Sequence, residues 1–239
     1  GLMNSIGLEN MGVEAFIETK LDLLSASEAV IGVNIVGHSF SEYIAVAQRL
    51  KDTKIDFLEL NISCPNLAGR GGLSFGSDPD AAEKLTSEVV KACGDKPVVV
   101  KLPPLVSDIA YTAKKIENAG AAAISLINTV PALAIDLPSR RPMLGNTFGG
   151  LSGPPIKPIA LRQVLVASRA TTIPVIGVGG IFTATDALEF IVAGAAAVEL
   201  ATAILVDPTS PLTIIDDMSK WLEENDCSLA DLKASLITG

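Results

Sequence analysis

Apolar residues along this chain follow two rhythms that take turns, one at helical spacing and one in short continuous runs. Val13, Phe16, Ile17, Leu21 and Leu24 recur every three or four positions, which predicts a helix from Gly12 to about Leu24. The run Val30–Ile35 predicts a strand, and Ser39–Leu50 its helix. Ser39 stands as the N-cap, with Glu42 three residues on at capping-box spacing. The alternation continues with a strand over Phe57–Ile62, a helix from about Pro79 to Cys93 and a strand over Val98–Leu102. A helix from about Asp108 to Ala119 then stops at Gly120, and a strand covers Ala123–Ile127. The stretch Val130–Gly153 is long enough to need structure of its own, with Ile135–Leu137 and Pro142–Leu144 set for a hairpin. After it come a helix over Pro158–Ala170, a strand over Pro174–Val178 and a helix capped by Thr183 or Thr185 that ends at Ala193 before Gly194. A strand over Ala197–Leu200 and helices over Leu212–Leu222 and Leu229–Leu236 complete the pattern, while Gly1–Leu8 reads as loop.

Six β-then-α units predict a parallel sheet. Polar or glycine residues mark the C-terminal end of each strand: Asn34, Asn61 to Asn66, Lys101, Asn128-Thr129, Gly179-Gly180 and Ala201-Thr202. A closed barrel gathers all such ends at one mouth, whereas an open sheet gathers only those at its switch point. The expected fold is therefore α/β of the (β/α)8 barrel type, as a single domain over residues 1–239.

Composition agrees with that frame and removes several function classes. Hydrophobic residues make up 49% of the chain but aromatics only 4%, the usage of buried parallel strands under helices. Lys and Arg number 18 against 27 Asp and Glu, a net −9 that argues against broad contact with a nucleic-acid backbone. Cys64, Cys93 and Cys227 are far apart and form no CxxC pair, and His38 is the single histidine, so no zinc or disulfide framework is expected. The same count cannot hold a four-cysteine iron–sulfur cluster. With no apolar run of 18 residues and no signal peptide, a cytoplasmic protein without membrane contact is expected.

The candidate chemistry centres on Asn61-Ile62-Ser63-Cys64-Pro65-Asn66, where a buried strand opens into a glycine-rich loop. Cys64 reads as a nucleophile, a proton-accepting base or an inert core thiol. A nucleophile needs an activating histidine, and His38 has no recognisable partner spacing, which favours the base among the functional readings. Lys101 closes Val98-Val99-Val100 and either reaches solvent or meets an anion. Asn34, Asn61 and Asn128 either bond loop backbone or line a wall suited to a flat heterocycle with amide-like edges. Gly179-Gly180 and Ala201-Thr202 read as a phosphate site after the last two strands, or as ordinary tight turns. Gly149-Gly150-Leu151-Ser152-Gly153 reads as a flexible stretch, and Gly177-Val178-Gly179-Gly180 lacks the spacing of a dinucleotide fingerprint.

Taken in order, the segments NSIGLEN, ELNISCPN, VVVKLPP, LINT, GGLSGPPIKPIALR and PVIGVGGI resemble the catalytic subunit of the dihydroorotate dehydrogenases. Cysteine at position 64 resembles the soluble class 1 enzymes, and the N-terminal segment and the Ile135–Leu144 insertion look most like their NAD-linked 1B subgroup. The resemblance implies an FMN enzyme that oxidises dihydroorotate to orotate in pyrimidine synthesis, with Cys64 taking the C5 proton. Asn4, Ser5, Ile6, Gly7, Leu8, Asn61, Asn128 and Thr129 match the family's pyrimidine-binding positions. Asn34, Asn61, Lys101, Ile127, Gly153, Gly179, Gly180, Ala201 and Thr202 match its FMN-binding positions, with the last four residues on the phosphate. Lys101 is expected to stabilise negative charge at the flavin N1–O2 edge. A homodimer and an electron-transfer subunit carrying FAD and an iron–sulfur cluster are the expected partners.

Two departures accompany the resemblance. Ala201 stands where the family usually has glycine, and the family's first two strands, with a lysine that touches flavin and substrate, precede NSIGLEN. Six units cannot close an eight-strand barrel, so weak or absent FMN binding and little turnover are expected of the chain as given. Two other readings compete: a flavin barrel acting on another dihydropyrimidine, whose cysteine falls near Phe75 in this chain, and an inactive scaffold.

Overall fold

The computed structural model describes residues 1–63 and 75–237. Its strands, in chain order, are β1 (Leu2–Asn4), β2 (Gly32–Ile35), β3 (Phe57–Asn61), β4 (Val98–Lys101), β5 (Ala123–Leu126) and β6 (Val130–Ala132). They continue with β7 (Ile135–Asp136), β8 (Arg141–Pro142), β9 (Gly149–Ser152), β10 (Val175–Val178) and β11 (Ala197–Glu199). Two compact units result. The first comprises Gly1–Ser5, Pro103–Leu105 and Ser125–Gly239; the second comprises Ile6–Leu102 and Val106–Ile124.

In the second unit β2, β3 and β4 run parallel, with Asn34 opposite Glu59 and Asn61 opposite Lys101. Side chains alternate faces along a strand, so Leu58 and Leu60 share one face of β3 while Glu59 and Asn61 share the other. Both faces are buried: Leu58 and Leu60 are 0% exposed, Glu59 7% and Asn61 5%. Buried side chains of the flanking helices Phe40–Leu50, Pro79–Ala92 and Ile109–Asn118 add Leu50, Leu85, Val89 and Ile116 to the core. Each such aliphatic side chain contributes roughly 1.5–3 kcal/mol of burial.

The helix ends follow their capping residues. Asp78 accepts from the N–H groups of Asp80 and Ala81, with Pro79 in the first turn, and Asp108 accepts from Tyr111. Ser39 caps Phe40–Leu50 by accepting from Glu42 N at 3.3 Å, as its spacing predicts. The reciprocal bond differs, because Glu42 Oε2 accepts from His38 N at 2.7 Å, one residue before the cap. The predicted N-terminal helix forms over Val13–Phe16, Ile17–Leu21 and Asp22–Leu24, its middle segment wound as a π-helix.

The first unit corrects two sequence expectations. Gly1–Leu8 is not all loop, and Gly149–Ser152 is a strand. β9 lies between β1 and β6, antiparallel to both, so that Asn4 and Pro131 flank Gly150. The expected hairpin forms between β7 and β8, with Ile135 opposite Pro142 and Asp136 opposite Arg141. β10 and β11 pair in parallel. The helix Lys157–Ala170 precedes β10 and Ala184–Val192 follows it, Thr183 capping the latter in a capping box with Asp186. Ser210–Glu224 extends the predicted tail helix at both ends, whereas Leu229–Leu232 is shorter than predicted. Ala234, at φ +58°, falls in the left-handed region soon after it. Among the described residues no helix is long and apolar enough to cross a membrane, and no three metal-ligating side chains cluster.

Candidate active site

In the second unit the parallel strands end in a hydrogen-bonded set of side chains. Asn34 Nδ2 donates to Glu59 Oε2, and Asn61 Nδ2 donates to Asn34 Oδ1 at 3.3 Å. Asn61 Oδ1 in turn accepts from Ser63 N at 3.2 Å and Ser63 Oγ at 2.7 Å. The backbone at Asn61 is held as well, because buried Tyr43 donates its hydroxyl to Asn61 O at 2.7 Å. The predicted Asn34 and Asn61 are thus brought together. Glu59 and Ser63 join them, although neither was assigned a separate role from the sequence.

Lys101 closes β4 beside Asn61 and is part-exposed, and among the described residues it makes no ion pair. Gly7 and Leu8 both adopt positive φ, +85° and +66°, in a turn where Asn10 Nδ2 donates to Leu8 O at 2.7 Å. Leu8, Asn10, Val33 and Asn34 line one cavity of about 380 Å³, while Ile6 is exposed. Phe75, where the competing dihydropyrimidine reading would need a cysteine, packs edge-on against Phe40 and Tyr43 at 5.1 and 6.1 Å. Cys64 lies outside the described residues. Cys93 fits a structural thiol: burial pushes it up, and its Sγ donates to Val90 O and Lys96 O at 3.3 and 3.2 Å.

In the first unit backbone dominates. Gly153, Gly179 and Gly180 have φ of +84°, +128° and +79°, the region that favours glycine. A Cβ on Gly180 would lie 2.9 Å from both Gly153 O and Lys157 N, and one on Gly153 would lie 3.6 Å from Thr202 Cγ2. Three loops, those after β9, β10 and β11, therefore meet at this point. Thr202 Oγ1 donates to Ser152 Oγ at 2.8 Å, which ties two of them. Ala201 has φ −127°, so its methyl carries no left-handed strain. Lys157 adjoins Gly180, but its ammonium contacts Asp186 at 2.6 Å and Glu189 at 2.8 Å. Hydrogen bonds to Asp186 and then to Glu189 raise the Lys157 pKa. Burial pushes Asp186 up, yet bonds from Lys157, Phe182 N and Thr183 outweigh it and hold the carboxyl below its usual value. That lysine is already neutralised and the Thr202 hydroxyl proton is given to Ser152, so backbone N–H groups are the donors this cradle offers an anion among the described residues.

The predicted pyrimidine positions of the first unit gather around β9. Asn4 pairs with Gly150, and the Thr129 side chain fills the space a Cβ on Gly150 would need. Asn128 Oδ1 accepts from Thr129 N at 2.7 Å, and Asn146 Nδ2 donates to Ser5 O at 3.4 Å. Ile127, joined to Leu126 by a cis peptide bond, is buried and donates its N–H to Val178 O at 2.9 Å.

The family model for dihydroorotate dehydrogenase matches residues 1–222. The chain belongs to the dihydroorotate dehydrogenase family. It is 48% identical over 234 residues to the "Dihydroorotate dehydrogenase B (NAD(+)), catalytic subunit" of Geotalea uraniireducens, covering 98% of this chain and 75% of that one. The protein of the same name from Pelobacter propionicus is 47% identical over 241 residues, covering 99% and 78%. That from Petrotoga mobilis is 45% identical over 228 residues, covering 95% and 75%. Dihydroorotate dehydrogenases have the (β/α)8 barrel fold, and six of its β-then-α units lie among the described residues: those of β2, β3, β4, β5, β10 and β11. Catalytic subunits of the family bind FMN. The donor sets of this chain fit that group, with carboxamides and a lysine at the β2–β4 ends of one unit and a crowded glycine cradle in the other.

Proposed function

We propose that this chain oxidises dihydroorotate to orotate, as a dihydroorotate dehydrogenase catalytic subunit, with Cys64 as the base that takes the C5 proton. The observation that carries the reading is the Asn34–Asn61–Ser63 hydrogen-bonded set, which leads directly into Cys64. When bound, FMN supplies the acceptor for the hydride leaving C6. Residues 1–239 serve as one FMN-binding domain. Asn34, Asn61, Lys101, Ile127, Gly153, Gly179, Gly180, Ala201 and Thr202 hold FMN. Asn4, Ser5, Ile6, Gly7, Leu8, Asn61, Asn128 and Thr129 hold the pyrimidine.

The residues divide the work by chemistry. Carboxamides of Asn34 and Asn61 meet polar ring edges through neutral donors and acceptors. Lys101 places a positive charge beside them, where negative charge grows as the ring system is reduced. Gly179, Gly180, Ala201 and Thr202 meet the phosphate through backbone N–H groups, which the pairing of Lys157 with two carboxylates and of the Thr202 hydroxyl with Ser152 supports. Cys64 acts only as proton acceptor, because the departing hydride leaves no bond for the thiolate to form. The relatives' name, catalytic subunit, supports a partner subunit. We take that partner to carry FAD and an iron–sulfur cluster, the chain itself to pair as a homodimer, and the enzyme to work in the cytoplasm.

Cys64→Ala and Cys64→Ser variants test the base assignment. Loaded with FMN and mixed with dihydroorotate in a stopped-flow instrument near neutral pH, Cys64→Ala should reduce flavin roughly 10²–10⁴-fold more slowly, the usual contribution of a positioned base. An unchanged rate in a flavin-loaded variant refutes it.

A further inference from the structure

The buried face of β3 carries a carboxylate two residues before Asn61. Glu59 is 7% exposed, and its register partner on β2 is Asn34. A carboxylate oxygen only accepts hydrogen bonds, so the carboxamide of Asn34 must turn its Nδ2 toward Glu59. That leaves Asn34 Oδ1 facing Asn61, which must answer with its own Nδ2. Asn61 Oδ1 then faces Ser63, where it accepts twice, from the backbone N–H and from the hydroxyl. The backbone N–H of Ser63 can only donate, so both ends of the chain of bonds demand the same direction. Two acceptances use the two lone pairs of Asn61 Oδ1. What these bonds leave to Asn61 for a ligand is its second N–H alone, while Asn34 keeps a second N–H beside one lone pair of its Oδ1.

We propose that Glu59 is a positioning residue that turns Asn34 and Asn61 so that both present N–H donors, and so selects a hydrogen-bond-accepting edge on the bound heterocycle. Ring carbonyls and unprotonated ring nitrogens are such edges; ring N–H groups are not. Neutral glutamine at position 59 has the same shape and still offers a carbonyl to Asn34, but its amide can donate as well. It therefore loosens the hold on Asn34, which can reverse only together with Asn61 and with loss of the Ser63 N–H bond, and the donor edge is lost from that part of the population. The identity of the ligand as a flavin rests on the function proposed above; the direction of the bonds does not.

Two measurements separate these layers. In the unaltered chain, scalar couplings across hydrogen bonds should link Asn34 15Nδ2 to Glu59 13Cδ and Asn61 15Nδ2 to Asn34 13Cγ. A link from Asn34 15Nδ2 to Asn61 13Cγ overturns the proposal. Glu59→Gln should weaken FMN binding, followed by flavin fluorescence, about tenfold, the worth of one misdirected buried hydrogen bond. Glu59→Asp keeps an acceptor-only carboxylate and should bind FMN more tightly than Glu59→Gln. Equal affinity in the unaltered chain and Glu59→Gln overturns the proposal, as does equal loss in the Asp and Gln variants. Should Glu59→Gln fail to fold, the couplings and Glu59→Asp still decide. Failure of the unaltered chain to bind FMN at all breaks the functional reading instead, and the couplings then judge Glu59 alone.

Discussion

The proposed site residues are held in place by different means in the two units of this chain. In the second, the proposed recognition rests on side chains at the ends of β2, β3 and β4, each fixed by a neighbour: Asn34 by Glu59, Asn61 by Asn34 and Ser63. In the first, the meeting point of Gly153, Gly180 and Thr202 is built from backbone, and the nearest lysine, Lys157, is neutralised by Asp186 and Glu189. Side-chain sites tolerate a changed backbone neighbour but not a changed donor. Backbone sites tolerate changed side chains but not an added atom. This contrast leads to unequal costs for substitutions that look equally conservative.

The largest expected effect is at Gly180. An alanine there must hold φ +79° and place its Cβ 2.8 Å from Lys157 Cβ and 2.9 Å from Gly153 O and Lys157 N. Backbone atoms cannot step aside as side-chain ends can, so strain and overpacking together should cost about 3 kcal/mol. Gly94, in the second unit, supplies the control, because its φ is +67° but nothing lies within 4 Å of its Cβ. Gly94→Ala should cost only the conformational part, about 1 kcal/mol. Urea unfolding of both variants measures the difference. Equal losses would mean that the cradle has room, and that the contrast between the units is false.

Next in size is the ion-paired group beside that cradle. Asp186→Asn removes the carboxylate that accepts from Lys157, Phe182 N, Thr183 N and Thr183 Oγ1, and should cost about 2 kcal/mol at pH 7. The carboxyl's pKa is held below its unfolded value of about 3.9, so its contribution is present above that pH and is lost as pH falls through the folded value. The gap between the variant and the unaltered chain should therefore close below about pH 4. The Lys157 pKa is raised, so its own contribution is complete below about pH 10.5 and is lost only as pH rises further, through the folded value. Urea midpoints measured across pH 3–8 check the acid limb. A gap that does not narrow at all as the pH falls from about 4 to about 3 would assign the loss to packing and not to charge.

Most of the fold was legible because buried strands and amphipathic helices write themselves as runs and periods. The candidate site was legible where side chains are proposed to do the recognising: Asn34, Asn61 and Lys101 stand out as polar residues closing apolar runs. Glu59 was readable in principle, as a carboxylate two residues before Asn61 in a strand, hence on the same face. Phe57, Leu58 and Leu60 around it mask it, because they mark the strand as an apolar run. β9 was missed for a physical reason. Glycine is depleted in strands, and here it is required by contacts far along the chain. A Cβ on Gly149 would lie 2.7 Å from Asn4 O, and one on Gly150 would run into the Thr129 hydroxyl. No local pattern announces a glycine whose reason lies elsewhere in the sequence.

The smallest expected effect belongs to the side-chain unit, and it tests the claim that such a site is held locally. Tyr43 is 1% exposed and donates to Asn61 O, while its ring lies edge-on to Phe75. Tyr43→Phe keeps the ring and its packing and removes only the hydroxyl. The carbonyl of Asn61 then loses a buried donor, which should cost about 1 kcal/mol. The carboxamides of Asn34 and Asn61 are fixed by Glu59 and Ser63 and not by Tyr43, so their side-chain amide signals should stay in place in a 15N spectrum. A loss as large as that of Gly180→Ala, or a displaced Asn61 side-chain signal, would show that this unit too depends on the placement of its backbone. The division between a side-chain site and a backbone site would then fail at its simplest point.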